Sequence, residues 1–343
     1  MPQQKVQNTR ILLANRPQGW VTRENFETVQ VAVPEVSEGQ ILVRNIWLSL
    51  DPYMRGRMND TKSYVPPFQV GEVLQGQTVA EVVQSKHKGF AEGDLVTGMF
   101  GWEGYTLSDG RGVRKLEPSS VPLSYYLSIL GITGLTAYIG LFDVGQLQAG
   151  DTVFVSAAAG AVGSAAGQIA KLKGCRVVGT AGSDVKIDYL TGELGFDAAF
   201  NYKTAELSQA LKETCPDGID PNFENVGGDI LEAVLPRMND FGRIAVCGMI
   251  AHYNDETPRP GPRTLPLVIS KRLRLQGFIV SDHLGRMGSF IQEMSGWIAE
   301  GKVTQRETVA EGVESAPEAF IGMLKGEKNG KQLVKISEEA STP

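Results

Sequence analysis

Apolar and polar positions alternate differently in the two parts of this chain. Up to about residue 124 the apolar residues occur in short alternating runs, at residues 40–47, 77–84 and 94–100, and Gly, Pro and polar clusters separate these runs. A period of two is typical of half-buried β-strands. We therefore predict a β-rich, barrel-like domain with pairing between distant strands at the start of the chain.

The second part of the chain alternates strand-like and helical runs. Its predicted strands are the run that begins at residue 151 and the runs at residues 175–180, 196–200, 219–224, 244–248 and 273–280. Its predicted helices are at residues 124–141, 164–173, 186–194 and 288–300. Strands that alternate with helices predict a parallel sheet wound on both faces, which is an α/β domain.

The end of the chain carries further runs at residues 303–313, 317–325 and 332–336. The last of these is strand-like and has no place in a completed six-stranded sheet, so we expect the tail to return to the first domain. The predicted division is an α/β domain at residues 129–302 and a β-rich domain formed by residues 1–128 and 303–343.

Composition limits the classes of function. The 343 residues carry a formal net charge of −6, which argues against binding to a nucleic-acid backbone. No apolar run approaches the roughly 18 residues of a membrane span, and residues 1–10 lack the apolar segment of a secretion signal. We therefore predict a cytoplasmic protein. The cysteines Cys175, Cys215 and Cys247 have no paired spacing, and we interpret Cys175 and Cys247 as buried core residues.

The strand that begins at Asp151 runs into the small-residue segment Ser156-Ala-Ala-Ala-Gly-Ala-Val-Gly163 and then into a helix. A strand, a tight turn and a helix bring free backbone N–H groups and the positive end of the helix dipole to one point, which suits a pyrophosphate. Ala158 replaces the first Gly of the usual G-x-G-x-x-G pattern, so packing of small residues is an alternative explanation. The βαβ units that follow favour a dinucleotide site at Gly160, Ala161, Val162 and Gly163.

The acidic residue that binds the adenosine ribose in NAD enzymes is expected about 20 residues after the glycines. Asp184 has this offset, but the second strand is predicted to end near Thr180, which places Asp184 at the start of a helix, where it can serve as an N-cap. Lys186 follows shortly after it and offers a positive charge to a 2′-phosphate. We therefore predict NADPH as the cofactor.

Five strings occur together in this order: LSLDPYMRGRM from Leu48, SAAAGAVGSAAGQIAKLKG from Ser156, ENVGG from Glu224, CGMIAHYN from Cys247 and LQGFIV from Leu275. They resemble the zinc-independent medium-chain dehydrogenase/reductases of the leukotriene B4 dehydrogenase, prostaglandin reductase and plant double-bond reductase group, and most of all the bacterial curcumin reductases. The resemblance covers almost the whole chain. It implies a doubly wound Rossmann sheet with a β-rich, GroES-like barrel domain, and NADPH-dependent reduction of the carbon–carbon double bond in α,β-unsaturated ketones and aldehydes.

The resemblance also implies which residues contact the cofactor. At the adenosine end these are Gly182, Ser183, Lys186 and Tyr202. At the nicotinamide end, where strands of a doubly wound sheet end, they are Asn225, Cys247, Gly248, Met249, Ile250, Tyr253, Phe278, Ile279 and Val280, with Asn329 contributed from the other domain. A packing role is an alternative for each residue at the nicotinamide end, and Lys186 is alternatively a solvated helix residue.

Reduction of an enone leaves negative charge on the carbonyl oxygen, so a hydrogen-bond donor must meet that oxygen. We predict this role for Tyr253, whose phenol stays protonated at neutral pH, and the nicotinamide ribose hydroxyl can share it. Tyr53 and Tyr64 are interpreted as walls of the substrate pocket. Arg55 either attracts an acidic or phenolic substrate or forms an ion pair within its own domain.

No metal site is predicted. The first domain has no cysteine and a single histidine, His87, and it reads Gly76-Gln-Thr where zinc alcohol dehydrogenases of the same superfamily carry Gly-His-Glu. A quinone reductase of the same fold and an NADPH-binding protein without turnover remain alternative functions. The resemblance further implies a small-molecule enone substrate, no nucleic-acid or membrane partner, and a homodimer formed through edge strands of the sheets.

Overall fold

Residues 7–117 and 121–339 are described by the computed structural model. They divide between two units. Unit 1 comprises the described residues within Met1–Leu127, Glu307–Lys328 and Gln332–Pro343, and unit 2 comprises Ser128–Arg306 and Asn329–Lys331. The predicted divisions are at 128/129 and 302/303, with the whole tail in the first domain, whereas the units divide at 127/128 and 306/307. Residues 303–306 and Asn329–Lys331 of the predicted tail therefore lie in unit 2.

The strands of the described residues are β1 (Gln7–Leu13), β2 (Phe26–Ala32), β3 (Ile41–Ser49), β4 (Gln75–Ser85), β5 (Leu95–Gly101), β6 (Tyr105–Ser108), β7 (Arg114–Lys115), β8 (Thr152–Val155), β9 (Arg176–Ala181), β10 (Ala198–Asn201), β11 (Ile219–Glu224), β12 (Met238–Val246), β13 (Arg274–Gly277), β14 (Glu307–Glu311) and β15 (Lys331–Lys335). The α-helices are α1 (Tyr53–Arg57), α2 (Ile132–Ile139), α3 (Ala161–Leu172), α4 (Asp184–Asp188), α5 (Leu207–Thr214), α6 (Gly228–Val234), α7 (Leu267–Ser270), α8 (Met287–Ala299) and α9 (Ala316–Leu324). Among the helices of residues 7–117 and 121–339, none has the length and apolar character needed to cross a bilayer.

Unit 1 is built on a sheet with the strand order β14-β15-β3-β4-β5-β7, and β6 pairs with β3. The strand β15 pairs antiparallel with β3, with Leu333 opposite Ser49. The expectation that the tail returns to the first domain is therefore confirmed for this strand. The helix α9 also packs within unit 1, because its Phe320 is 1% exposed and packs edge-on against Trp102, with the ring centroids 5.8 Å apart.

Unit 2 contains the predicted doubly wound sheet, with the strand order β10-β9-β8-β11-β12-β13 and parallel pairing throughout. The chain starts this sheet at β8, moves outward through β9 and β10, and then crosses to β11 on the other side. In such a sheet the loops that follow the two central strands diverge at the carboxyl edge and leave a crevice for a ligand. The loops after β8 and β11 occupy this position.

Several predicted elements differ from the structure. The strand predicted at residues 244–248 is longer than expected and runs from Met238 to Val246. The predicted helix at residues 124–141 is interrupted, because a 3₁₀ turn at Leu123–Leu127 is followed by a bend and α2 begins only after Gly131. The bend is tight: a Cβ on Gly134 would lie 2.0 Å from the carbonyl oxygen of Ile129. The predicted strand at residues 273–280 ends at Gly277, and a 3₁₀ turn begins at Val280.

Candidate dinucleotide site

The segment between β8 and α3 forms a turn that ends at a helix N-terminus. Ala157 adopts a φ of 49°, and the Gly160 N–H donates a hydrogen bond to the Ala157 carbonyl oxygen at 3.0 Å. Gly160 is the N-cap of α3, so the amides of Ala161, Val162 and Gly163 form the first helical turn. These amides have no acceptor one turn earlier in the helix and, with the helix dipole, make a site for an anion.

This turn lies against the helix so closely that only glycine fits at position 163. A Cβ on Gly163 would lie 2.5 Å from the Ala157 carbonyl oxygen and 2.8 Å from the Ala158 Cα. Both of these are backbone atoms, so no side-chain rotation could relieve the contact. We call residues 156–163 the phosphate loop.

The tail segment Asn329–Lys331 lies beside the phosphate loop within unit 2. Gly330 forms a parallel bridge with Gly160, and its N–H donates to the Ala159 carbonyl oxygen at 2.9 Å. This pairing explains why Asn329, which the sequence analysis places in the other domain, belongs to the same unit as the phosphate loop. A Cβ on Gly330 would lie 1.9 Å from the Arg306 carbonyl oxygen, so the close approach requires glycine.

The end of β9 carries the predicted adenosine-side residues. Ser183 is the N-cap of α4 and Asp184 is its first residue, so the N-cap role predicted for Asp184 is wrong by one position. The Asp184 carboxylate accepts a hydrogen bond from the Asn201 side-chain amide at 2.8 Å. Tyr202 is 40% exposed, and its hydroxyl lies 3.1 Å from the position of a Cβ on Gly182.

Two lysines share this end of the sheet. Burial, and then the positive charge of Lys203, lower the pKa of Lys186. The Lys203 Cε lies 3.2 Å from the position of a Cβ on Gly182, and within residues 7–117 and 121–339 no carboxylate forms an ion pair with Lys203. Sequence reasoning missed Lys203, although it directly follows Tyr202. Two positive charges with a neighbouring phenol and helix N-terminus fit a phosphate monoester.

Asn225 lies in the loop after β11, at the centre of the carboxyl edge. Its side-chain amide donates to the Ser156 carbonyl oxygen at 2.7 Å, and its backbone N–H donates to the Ser156 hydroxyl at 2.7 Å. These bonds fix the orientation of the side chain, and they leave its Oδ1 as an acceptor for a ligand donor.

The segment after β12 carries Tyr253. Its phenol oxygen accepts a hydrogen bond from the Met249 backbone N–H and lies 3.2 Å from the position of a Cβ on Gly248. Burial is the main cause that raises the pKa of Tyr253, and the Met249 bond opposes it. The phenol therefore keeps its proton at neutral pH. Because the backbone amide occupies an acceptor position of the oxygen, the phenol hydrogen can be donated elsewhere.

Phe278, Ile279 and Val280 follow β13, and each is half-buried. The Phe278 ring packs edge-on against Phe223 of β11, with 6.4 Å between the ring centroids. It also lies 2.8 Å from the position of a Cβ on Gly140. The Phe278 side chain thus packs against the sheet, and its backbone groups remain for a ligand.

In unit 1, α1 presents Tyr53 and two arginines. Arg55 is 2% exposed and donates to the Gly19 carbonyl oxygen and to the Asn59 Oδ1, at 2.7 Å each. Arg55 therefore connects α1 to other segments of unit 1. Tyr53 is largely buried, and burial, followed by the charge of Asp51, raises its pKa well above the usual range.

Arg57 is the arginine that sequence reasoning missed in this cluster. Its guanidinium lies 4.0 Å from the centroid of the Phe68 ring and forms a side-chain hydrogen bond with Tyr53. Tyr64, which is 60% exposed, also interacts electrostatically with Arg57. Arg57 is buried, and its guanidinium also donates to the Pro66 carbonyl oxygen at 2.9 Å and to the Gln75 Oε1 at 3.3 Å.

The cysteines have the low reactivity expected of core residues. Burial raises the pKa of Cys175 to about 11 and that of Cys247 to about 12, and it also raises the pKa of Cys215. The thiolate, which is the reactive form, is therefore scarce at neutral pH. Among residues 7–117 and 121–339, no group of three or more His, Cys, Asp or Glu is placed to hold a metal ion.

The chain is similar to known oxidoreductases. Residues 9–116 match the family model described as "N-terminal domain of oxidoreductase", and residues 161–299 match the one described as "Zinc-binding dehydrogenase". The chain is 46% identical to the NADPH-dependent curcumin reductase of Escherichia coli K12, over 98% of this chain and 99% of that protein. It is also 46% identical to the 2-alkenal reductase (NADP(+)-dependent) of Nicotiana tabacum, with the same two shares. The crystal structure of CurA from Vibrio vulnificus in complex with NADPH is similar with a TM-score of 0.92 and 43% identity, over 96% of this chain and 100% of that chain.

Proposed function

The chain belongs to the medium-chain dehydrogenase/reductase family, in the group that contains the curcumin, 2-alkenal and prostaglandin reductases, and we propose that it uses NADPH to reduce the carbon–carbon double bond of α,β-unsaturated ketones and aldehydes. The observation that carries the proposal is the position of the Tyr253 phenol in the loop after β12: its oxygen and the Asn225 carbonyl oxygen lie 3.2 Å and 3.3 Å from the position of a Cβ on Gly248, at the carboxyl edge of the sheet. Burial raises the pKa of this phenol, which favours its neutral form. A reductase that creates an oxyanion needs a neutral donor at such a position.

The residues of unit 2 fit NADPH along its length. The helix N-terminus at Gly160–Gly163 fits the diphosphate, since the amides of Ala161, Val162 and Gly163 have no acceptor one turn earlier in α3 and a side chain at position 163 would collide with the backbone of the turn. Lys186, Lys203 and Tyr202 fit the 2′-phosphate. NADPH, when bound, supplies the hydride. Asn225 offers an acceptor for the nicotinamide half, and Tyr253 donates a hydrogen bond to the substrate carbonyl as negative charge develops there.

Unit 1 supplies the proposed substrate contacts. Tyr53 and Tyr64 keep the role that the sequence predicts. Both arginines bond to neighbouring groups of unit 1. We propose Arg57 in place of Arg55 as the cation of this set, because its Nη1 is buried and has no hydrogen-bond partner among the described residues. The Arg57 guanidinium favours a substrate that carries phenolic or acidic groups, since this partly desolvated cation can pair with their negative charge.

The function is tested by following NADPH oxidation with a panel of enals, enones, curcuminoids, quinones and alcohols. We expect turnover with the enones and enals, and a product that keeps its carbonyl group and lacks the double bond, identified by mass spectrometry and NMR. Turnover with quinones alone would favour a quinone reductase. Tight NADPH binding with no turnover across the panel would favour a binding protein.

Removal of the Lys186 charge is expected to discriminate between the two nicotinamide cofactors. Lys186→Ala should weaken NADPH binding roughly 10- to 100-fold, because a charge-assisted bond contributes about 1.5–3 kcal/mol, and should leave NADH binding nearly unchanged. Lys203→Ala should act in the same direction. Both dissociation constants are measured by fluorescence titration, with Lys212→Ala on the exposed face of α5 as the matched control. Equal losses for NADPH and NADH would remove the lysines from the 2′-phosphate site.

Chelation is expected to leave the protein unaffected. Extended dialysis against a chelator should change neither the circular dichroism spectrum nor the rate of enone reduction, because the described residues bring no set of metal ligands together. Elemental analysis should find no stoichiometric zinc. Activity that disappears on dialysis and returns only with added zinc would contradict this expectation.

We propose further that the protein is a cytoplasmic homodimer. The unpaired thiols Cys175, Cys215 and Cys247 agree with a reducing compartment. The strand β13 is the edge of its sheet, and the nearby Ile269 and Phe241 are 82% and 66% exposed, which is typical of a surface that a second copy covers. Sedimentation velocity is expected to give a dimer for the wild type and a monomer for Ile269→Lys. A wild-type monomer would contradict the proposal.

A further inference from the structure

A buried carboxylate lies at the end of β11, next to the site but outside the residues assigned to it. Glu224 is 0% exposed. Its Oε1 accepts hydrogen bonds from the Ser156 hydroxyl at 2.7 Å and from the backbone N–H groups of Val226 at 2.7 Å and Gly227 at 2.9 Å. Its Oε2 accepts from the Asn222 side-chain amide at 3.0 Å. Among the described residues no cation pairs with Glu224, so neutral donors alone compensate a charge that is costly to bury.

The first consequence of these bonds concerns the loop after β11. The Ser156 hydroxyl donates to Glu224 and accepts from the Asn225 N–H at 2.7 Å. Glu224 therefore orients the hydroxyl that holds Asn225. The same carboxylate oxygen also holds the turn at Gly227, where φ is +75°, a conformation that glycine adopts at little cost.

The second consequence concerns the segment that carries Tyr253. The backbone carbonyl of Glu224 accepts from the N–H groups of Cys247 at 2.9 Å and Gly248 at 3.1 Å. The next two carbonyls, of Asn225 and Val226, accept from Ile250 at 3.2 Å and Ala251 at 3.0 Å. Residues 247–251 thus follow the path of residues 224–226, so a displacement of the first loop must displace the second.

We propose that Glu224 is a positioning residue for the nicotinamide half of the site. Its carboxylate accepts hydrogen bonds from Ser156, Val226 and Gly227 and so fixes the loop after β11. The position of this loop in turn fixes the orientation of the Asn225 side chain and the position of the segment that ends at Tyr253. The inference rests on the proposed function of the same site. The network reaches the phosphate loop only through Ser156, and the phosphate monoester cluster at Lys186 and Lys203 receives no bond from it, so the effect of Glu224 should be smallest at the 2′-phosphate end of the cofactor.

The hydrogen-bond geometry predicts that the role of position 224 depends on the shape of the glutamate side chain and not on its charge. A glutamine at position 224 can place its carbonyl oxygen at the Oε1 position and keep all three of those donors. Its NH₂ group would then face Asn222, whose Oδ1 is buried without a hydrogen-bond partner. Rotation of the Asn222 amide by half a turn would bring that oxygen to the new donor. An alanine instead removes the acceptor of all four donors, the three at Oε1 and the Asn222 amide.

The experiment compares Glu224→Gln, Glu224→Ala and Ser156→Ala by dissociation constants for NADPH, NADH and 2′,5′-ADP, and by kcat and KM for an enone. We expect Glu224→Ala to weaken NADPH and NADH by the same factor, roughly 5- to 30-fold, and to lower kcat, while binding of 2′,5′-ADP changes less than about twofold. Ser156→Ala should show the same pattern with smaller losses. Glu224→Gln should resemble the wild type in every measurement.

Three results would overturn the proposal. These are normal cofactor binding and kcat in Glu224→Ala, an equal loss of 2′,5′-ADP binding, and a Glu224→Gln variant as impaired as Glu224→Ala. If Glu224→Ala does not fold, as judged by circular dichroism, the other two variants carry the test. Cofactor binding is measured without turnover, so the positioning role can be judged even if the wild type reduces no enone and the proposed function fails.

Discussion

Gly163→Ala is expected to weaken the binding of NADPH and NADH together, by roughly 10- to 100-fold. The new Cβ would lie 2.5 Å from the Ala157 carbonyl oxygen and 2.8 Å from the Ala158 Cα, so either the turn or the start of α3 must move. Movement there displaces the first-turn amides from the diphosphate, which both cofactors share. The measurement is a fluorescence titration with each cofactor, together with the melting temperature.

The matched control is Gly192→Ala. Gly192 is also in a helical segment of unit 2, but no heavy atom lies within 4 Å of the position of its Cβ. This variant should bind both cofactors as the wild type does. A Gly163→Ala protein that keeps its NADPH affinity would show that the phosphate loop tolerates displacement and that the diphosphate contacts other groups. Because Lys186→Ala should affect NADPH alone, the two variants separate the diphosphate from the 2′-phosphate.

The phosphate loop could be predicted because its determinants are adjacent in the chain. The strand β8, the small residues after it and the helix α3 follow one another within residues 151–173, and hydrophobic periodicity reports such local order well. The same reasoning predicts that the sheet in unit 2 is parallel, but it does not predict the strand order. The interruption before α2 could not be predicted in this way, because the contact of Gly134 with the Ile129 carbonyl depends on the folded path of the backbone.

The residues that sequence reasoning missed all act through contacts that form only after folding. Lys203 comes close to Gly182 because β10 pairs with β9, which brings together residues some twenty positions apart in the chain. The sequence alone does not distinguish Arg57 from Arg55, because both follow Tyr53 and only the structure shows which one bonds to Gly19. Asn329 lies in unit 2 and not in the predicted first domain, because the next residue, Gly330, bonds to Ala159.

Glu224 is missed for a different reason. A Glu at the end of a strand usually indicates an exposed carboxylate, and nothing in the string ENVGG shows that Ser156, far earlier in the chain, supplies a donor. The pairing of β8 with β11 creates the contact. The nearest sequence signal is the pair of glycines after Asn225, which predicts a turn whose amides need an acceptor.

The second large effect is expected for Tyr253→Phe, which should lower kcat about 100-fold, with a modest change in KM and no change in NADPH affinity. A donor aimed at a developing oxyanion strengthens between the ground state and the transition state, and loss of one such donor costs on the order of 3 kcal/mol. Phenylalanine keeps the ring and removes only the hydroxyl. The loss will be smaller if the ribose hydroxyl of the cofactor shares the role.

The experiment must separate chemistry from product release. The rate is therefore measured with NADPH deuterated at the transferred position, and a larger isotope effect in the variant than in the wild type would show that hydride transfer has become rate-limiting. Tyr105→Phe in β6 of unit 1 is the control for a half-buried tyrosine outside the site, and the melting temperature reports any cost of losing the Met249 bond. Since burial raises the pKa of Tyr253, the phenol stays protonated up to a higher pH than a free phenol, and kcat should not fall through its ionisation in the range where a free phenol stays protonated. A chemical step in Tyr253→Phe as fast as in the wild type would assign the donor to the cofactor or to water, and Tyr253 would then be a wall of the pocket.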